Sequence, residues 1–332
     1  MKNAMMSVAE AAARIDDGAV LVIAGSEAAL AQLPRGNWIG GTSVYFVTDT
    51  GGRMDTENVF VTEIEAATDA RPVFYPAKDL PSLTMGRYDN GLSVILIPAF
   101  SAAHEAFAIH GAEYPGLFDQ PLMGWITGVP LDETGRTTPK VFDGARGEMH
   151  ADGAMLLHVA LPETKMADLD IINLFEPDTG ADEITFAHSG FAARRALING
   201  KERDFAAYLA ETAIDTRCPL VADYAGAMVN VSVQSVDAKD GVTFYAPVIE
   251  GQVYHIAKAP GDYASDFAVR AQGHGAQELS CNCILNYLYG ELDTKTTGGF
   301  TGPATFGEIA YVLLNQTLVR LDLRAVEASA VA

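Results

Sequence analysis

Two stretches of this chain repeat one pattern: an unbroken apolar strand, a helical segment, then a second apolar strand carrying Trp-Ile near glycine. In the first, Ala19-Val20-Leu21-Val22-Ile23-Ala24 leads through residues 26–32 to Trp38-Ile39-Gly40-Gly41-Thr42-Ser43. In the second, Leu92-Ser93-Val94-Ile95-Leu96-Ile97 leads through 101–110 to Leu122-Met123-Gly124-Trp125-Ile126-Thr127-Gly128. Short apolar runs without alternation read as strands buried on both faces, and strands alternating with helices read as an α/β arrangement. The repetition predicts an internal duplication near 18–66 and 90–175, with an insertion around 111–119 of the second copy. It also puts Trp38 and Trp125, the two tryptophans, at equivalent places. Further strands are expected over 58–65, 141–147, 153–161 and 167–175.

The second half reads as β-rich. A helix is expected over 200–212, and valines alternate with polar residues over 228–236. Asp240-Gly241 marks a turn before Val242-Thr243-Phe244. Strands over 252–258 and 279–283, a helix over 262–272, a Gly/Thr-rich loop over 294–303 and a last strand over 317–323 complete it. The expected fold class is α/β (α+β). An N-terminal α/β region of two related strand–helix–strand units (1–200) packs on a β-rich C-terminal domain (201–325), followed by a frayed tail (326–332).

Charge narrows the function. Among 332 residues, 43 are acidic and 22 basic, a net charge of −21. No surplus of Lys and Arg exists to displace counterions from nucleic acid or to dock on an anionic membrane. The longest apolar strings fall short of the roughly 20 residues that a membrane span needs. Three cysteines make no disulfide framework and suit a reducing compartment. A soluble cytoplasmic protein is expected.

Several residues carry possible chemistry. Cys281-Asn282-Cys283 places two thiols on one face of a strand; near a strand-to-helix turn, free N–H groups would lower a thiol pKa. His274, within Gly273-His274-Gly275, would be the partner base for acyl transfer. Against this, buried cysteines usually serve as small core hydrophobes. As a metal site the pair supplies two ligands where closed zinc needs four, and Cys218 is distant. The histidines are scattered: His104 and His110 are six apart, which is not the helical ligand spacing. A single axial histidine for haem, with His188 as an example, stays open. Gly40-Gly41-Thr42-Ser43 allows close backbone approach to a ligand, and Glu308 and Asn315 flank an apolar run where they would bind an amine or amide. No Walker or dinucleotide fingerprint is present.

Thr305-Phe306-Gly307-Glu308-Ile309 followed by Asn315-Gln316-Thr317-Leu318-Val319 resembles the closing signature of FIST domains. Leu279-Ser280-Cys281, Ile39-Gly40-Gly41-Thr42-Ser43, and Met123 to Gly128 with Val141-Phe142-Asp143-Gly144 are similar to further segments of that family. The sequence departs from it where Asn282-Cys283-Ile284-Leu285 stands in place of the usual Arg and where Val44-Tyr45-Phe46 replaces Ala-Gly-Glu. The resemblance implies a sensory protein that binds a small molecule, some relatives binding haem, and signals through a separate partner protein. On that basis a ligand is expected in the crevice between the two regions, lined by Gly41, Thr42, Trp125, Thr127, Cys281, Asn282, Glu308 and Asn315. The alternatives are an enzyme with Cys281 as nucleophile, assisted by His274 or Glu308, acting on a small amide or ester, and a haem-based gas sensor.

Overall fold

The computed structural model describes residues 1–224, 227–258, 261–270 and 279–326. The expected mix of α and β is present, but the repeated unit occurs three times. In the first unit, β1 (Lys2–Met6) is followed by α1 (Val8–Asp16), β2 (Leu21–Gly25), α2 (Glu27–Leu30) and β3 (Trp38–Thr42). A hairpin of β4 (Tyr45–Thr48) and β5 (Gly51–Met54) precedes its last strand, β6 (Val59–Glu63). The second unit repeats this order: β7 (Asp69–Tyr75), β8 (Gly91–Pro98), α3 (Ala102–His110) and β9 (Leu122–Thr127). Its hairpin is β10 (Val141–Asp143) and β11 (Glu148–His150), and its last strand β12 (Ala154–Ala160). Two short 3-10 turns within 111–119 lengthen its crossover, where an insertion was expected.

The third unit opens with β13 (Lys165–Asn173) and is then interrupted by an inserted domain. The insert comprises β14 (Ile184–Thr185), β15 (Gly190–Ala193), β16 (Arg195–Ile198), β17 (Lys201–Asp204) and α4 (Phe205–Glu211). It continues through β18 (Leu220–Tyr224), β19 (Ala227–Val231), β20 (Val233–Asp237), β21 (Gly241–Val248) and β22 (His255–Ile256). The unit resumes with α5 (Tyr263–Arg270), β23 (Leu279–Cys283), α6 (Ile284–Tyr289) and β24 (Gly302–Thr305). It ends with the hairpin β25 (Glu308–Ala310) and β26 (Val312–Leu314) and the strand β27 (Thr317–Ala325).

Each unit lays its strands in the order first, last, second, third, with the second and third parallel. Each hairpin leaves its own unit and completes the sheet of another. The three six-stranded sheets are β1-β6-β2-β3-β10-β11, β7-β12-β8-β9-β25-β26 and β13-β27-β23-β24-β4-β5. The exchange runs one way, from the second unit to the first, the third to the second, and the first to the third. It closes a ring with pseudo-threefold symmetry.

This geometry explains the unalternating strands. Val22, Ala24, Leu92, Val94, Leu96, Cys281, Val319 and Leu321 face one shared central core. The alternate residues face outward under helices: Leu21 and Ile23 beneath α1 and α2, Ile95 and Ile97 beneath α3, and Leu318 beneath α6. Both faces are covered, so both must be apolar. Helix starts are fixed locally. Ser7 caps α1 in a reciprocal box with Glu10, and Ser26 and Ser101 accept backbone N–H bonds at α2 and α3, each cap contributing about 1 kcal/mol.

Several expectations change. Trp38 and Trp125 are not equivalent: Trp38 faces the outer helices and donates to Pro34 O at 2.9 Å, whereas Trp125 faces the centre. Residues 201–204 form a strand, and the helix begins at Phe205. The sheets run across the expected 200/201 boundary, since β13 pairs with β27 and β4 with β24. The insert (β14–β22 with α4) has its own small core around Phe186, Phe205, Phe244 and Tyr254. Residues 327–332 of the expected tail lie outside the described residues. Among the described residues, no helix is long and apolar enough to cross a membrane.

Candidate functional site

The third strands of the three units meet on the pseudo-threefold axis. Gly41, Trp125 and Pro303 hold equivalent positions there, facing Val141, Glu308 and Phe46 of the incoming hairpins. Two residues further on come Ser43, Thr127 and Thr305, all buried. Hydrogen bonds pass from unit to unit around the axis. Gly128 N–H donates to Thr42 O (2.8 Å), Phe306 N–H to Ile126 O (3.0 Å) and Ser43 Oγ to Ala304 O (3.0 Å). Gly41 is required, because a Cβ there would lie 2.5 Å from Thr127 Cγ2.

Of the eight residues expected to bind a ligand, Gly41, Trp125 and Thr127 stand at this axis, whereas the Asn282 side chain turns to Asn286 of α6 and Asn315 meets Asn230 of the insert. Glu308 sits opposite Trp125 in the sheet, and Cys281 Sγ donates to Gly124 O at 3.4 Å. Glu308 Oε2 accepts from Thr317 N (3.2 Å) and Oγ1 (2.8 Å). Asn286 Nδ2 bridges Asn282 Oδ1 (2.8 Å) and Thr317 O (3.1 Å), and Asn230 Nδ2 donates to Asn315 O (3.0 Å). They form a sealed polar centre, however, and not the wall of a crevice: none of Thr42, Trp125, Thr127, Cys281, Asn282, Glu308 and Asn315 is more than 4% exposed. Five atoms in this set have no partner at hydrogen-bonding geometry: Trp125 Nε1, Thr127 Oγ1, Asn282 Nδ2, Glu308 Oε1 and Asn315 Oδ1. The Cys283 thiol and Thr305 hydroxyl nonetheless lie beside the Glu308 carboxyl. Burial pushes that carboxyl up to about 8, so it is protonated at neutral pH.

The same burial, with Glu308 nearby, drives the Cys281 and Cys283 thiols well above their ordinary range. Cys281 is wholly buried. It therefore lacks the exposed, electropositive setting of a thiolate nucleophile. His274, its expected base, lies outside the described residues. His188 is exposed on a loop. Among the described residues, no group of three or more His, Cys, Asp and Glu side chains is placed to hold a metal ion.

The accessible site lies beside the centre, at the carboxyl ends of the strands. β8 runs into Ala99-Phe100-Ser101 before α3, and Phe100 turns with φ +63°, a left-handed conformation strained for a bulky residue. The turn is held by Ser101 Oγ donating to Pro98 O (2.7 Å) and by Phe100 N–H donating to His104 Nδ1 (3.3 Å). A cleft of about 270 Å³ opens here, between this turn, Phe306 after β24, and the insert. Phe191 of β15 and Phe244 and Tyr245 of β21 supply its far wall, with Gln234 of β20 and Glu105 of α3 at its rim. A smaller arm of about 60 Å³ shares Phe100, Tyr245 and Phe306 and continues to Leu131, Ile284 and Leu288.

His104 lines the cleft and is 6% exposed. Burial without a counter-charge drops its pKa to about 4, so the ring is neutral. Nδ1 accepts from Phe100, which leaves the proton on Nε2, and Nε2 has no hydrogen-bond partner. The Phe191 and His104 ring centroids lie 5.5 Å apart with their planes at 64°. Spacing arguments passed over His104. The legible signal was its place three residues after the helix-capping serine that follows a fully buried strand. A second cleft, about 470 Å³ beside α6, is lined by Asp215, Arg217, Cys218 and Lys295. Asp215 and Arg217 pair with each other, and no unpartnered buried polar atom among the described residues lines it.

Comparison with curated proteins found no match. A family model covers almost the whole of the ring and its insert, matching residues 6–324, and the chain belongs to that family, DUF6976, a family of unknown function.

Proposed function

We propose that this chain is a small-molecule-binding protein of sensory type, with its ligand in the aromatic cleft between α3 and the inserted domain. One observation carries the reading: a neutral, buried histidine presents an unpartnered N–H to an aromatic cavity at a seam. A buried donor without an acceptor costs about 1–3 kcal/mol, a cost that a guest's acceptor removes. Carboxyl ends of strands and domain seams are the usual places for such sites. The far wall belongs to the insert and the near wall to the ring, so an occupant bridges them and biases their arrangement, which a separate partner protein reads. The resemblance to FIST domains supports the same class of activity.

The neutral apolar dye phenylnaphthylamine tests the cleft directly. Its fluorescence should rise on binding wild-type protein and fall back in Phe191→Ala and Phe306→Ala. Undiminished binding in both variants places the ligand site elsewhere.

A further inference from the structure

Ser101, His104, Glu105, Gln234 and Tyr245 supply the cleft's polar groups among its aromatic walls, and their chemistry specifies what it holds. The buried polar atom left without a partner among its described lining residues is a donor, His104 Nε2–H. A positively charged reader is absent among the described residues of the lining, because His104 is neutral and no Lys or Arg contributes to it. The one charged group is acidic, Glu105, and the chain as a whole carries −21. The nearby start of α3 offers no spare positive field, because Asp152 Oδ1 already accepts from Ala103 N–H at 2.9 Å. Anionic ligands are therefore disfavoured. The remaining walls, Phe100, Phe191, Phe244, Tyr245 and Phe306, are flat and aromatic. The small arm extends the apolar surface toward Leu131, Ile284 and Leu288.

The Phe191 and His104 rings pack together, their centroids 5.5 Å apart. An aromatic neighbour is at best a weak acceptor, so a carbonyl oxygen that reaches Nε2–H gains a full hydrogen bond. Phe100 is 58% exposed at the mouth and packs edge-on against Phe306 at 6.2 Å, so a flat guest would lie between the two arms of the cleft.

Resting on the reading above, we infer that the ligand is a neutral aromatic or alkyl carbonyl compound, a ketone, lactone or amide. Its oxygen accepts from His104 Nε2–H, and its apolar body lies across Phe100 and Phe306. Specificity comes from one bond: a molecule of the same shape without the acceptor leaves the donor orphaned, and one with a carboxylate meets Glu105 with no cation to offset it.

The test uses the full chain and three probes of one shape, read by fluorescence titration. These are the neutral ketone dye Prodan, dimethylaminonaphthalene without the ketone, and the matching naphthoic acid. Wild-type protein should bind Prodan about tenfold tighter than the ketone-free probe and tighter still than the acid, the worth of one hydrogen bond to a buried donor. In His104→Phe, which keeps an aromatic ring and its burial, Prodan should fall to the level of the ketone-free probe, whose own affinity stays unchanged. Equal binding of the two neutral probes by wild type overturns the inference without needing any variant, and so does tighter binding of the acid. If none of the probes binds, or if Phe191→Ala leaves all three unaffected, the cleft itself fails as the site. That result is separate from failure of the carbonyl assignment.

Discussion

Glu308 allows the sharpest quantitative test of the sealed centre. Its carboxyl is fully buried and pushed up to about 8, against an ordinary value of 4.5 in an unfolded chain. Between those values the folded protein holds a proton that the unfolded chain has released. The unfolded state then binds fewer protons, so stability falls as pH rises through that window. The slope is about 1.4 kcal/mol per pH unit, or about 4 kcal/mol between pH 5 and pH 8, as an upper bound. Glu308→Gln removes the ionisation and keeps the shape. The glutamine carbonyl accepts the two Thr317 bonds, and its amide takes the place of Oε1 beside Cys283 and Thr305. Urea unfolding followed by tryptophan fluorescence at several pH values gives the difference between variant and wild type. It should be small near pH 5 and grow to about 4 kcal/mol in favour of Gln near pH 8. Taking the difference cancels every other titrating group. A difference that does not change with pH, or that shrinks as pH rises, would refute the neutral carboxyl.

Four further outcomes are expected. His104 and His158 are both lowered to about 4 by burial, so the unfolded chain takes up protons first on acidification. Stability is then lost from about pH 6.5 down to pH 4, and His104→Phe should remove up to about 3 kcal/mol of that loss in acid-unfolding titrations. All three thiols are buried, so a thiol reagent should modify none of them in the native protein and all of them after denaturation. Gly124→Ala should cost at least ~3 kcal/mol or abolish folding, because its Cβ would sit 1.7 Å from the Ile95 carbonyl, which is fixed in the sheet; calorimetry reads the loss. A fragment of residues 1–200 should show no cooperative unfolding transition, since it lacks three strands of the third sheet and two of the second.

The second and third strands and the crossover helices of the first two units were legible because burial on both faces writes continuous apolar runs such as Leu92–Ile97, whereas the half-exposed first strands β1 and β7 were not. The third copy was not. Its first strand, β13, is separated from β23 by the insert, and Leu279-Ser280-Cys281-Asn282-Cys283 is short and partly polar. The hairpin exchange was equally hidden, because β10 and β25 are three-residue strands whose partners lie far away in sequence. At the site, Gly41, Trp125, Cys281 and Glu308, expected to line a ligand crevice, are buried instead. The unusual residues mark the axis where three backbones crowd together, and polar groups there look the same in sequence whether they line a cavity or seal one. The cleft was missed because its aromatic walls come from four segments far apart in the chain, and its unpartnered donor, His104, carries no motif.

The exchanged hairpins also set a timetable for synthesis. β4 and β5 emerge early, yet the strand β4 pairs with, β24, begins only at Gly302. On the ribosome the first sheet closes once residue 150 is out, whereas the other two wait for residues beyond 300. Contacts this distant in sequence slow the search for the native state and leave strand edges bare while the chain grows. A nascent chain stalled midway is thus a holder of open edges, and a chaperone that shields edges has most to offer during the 150 or so residues between the two events.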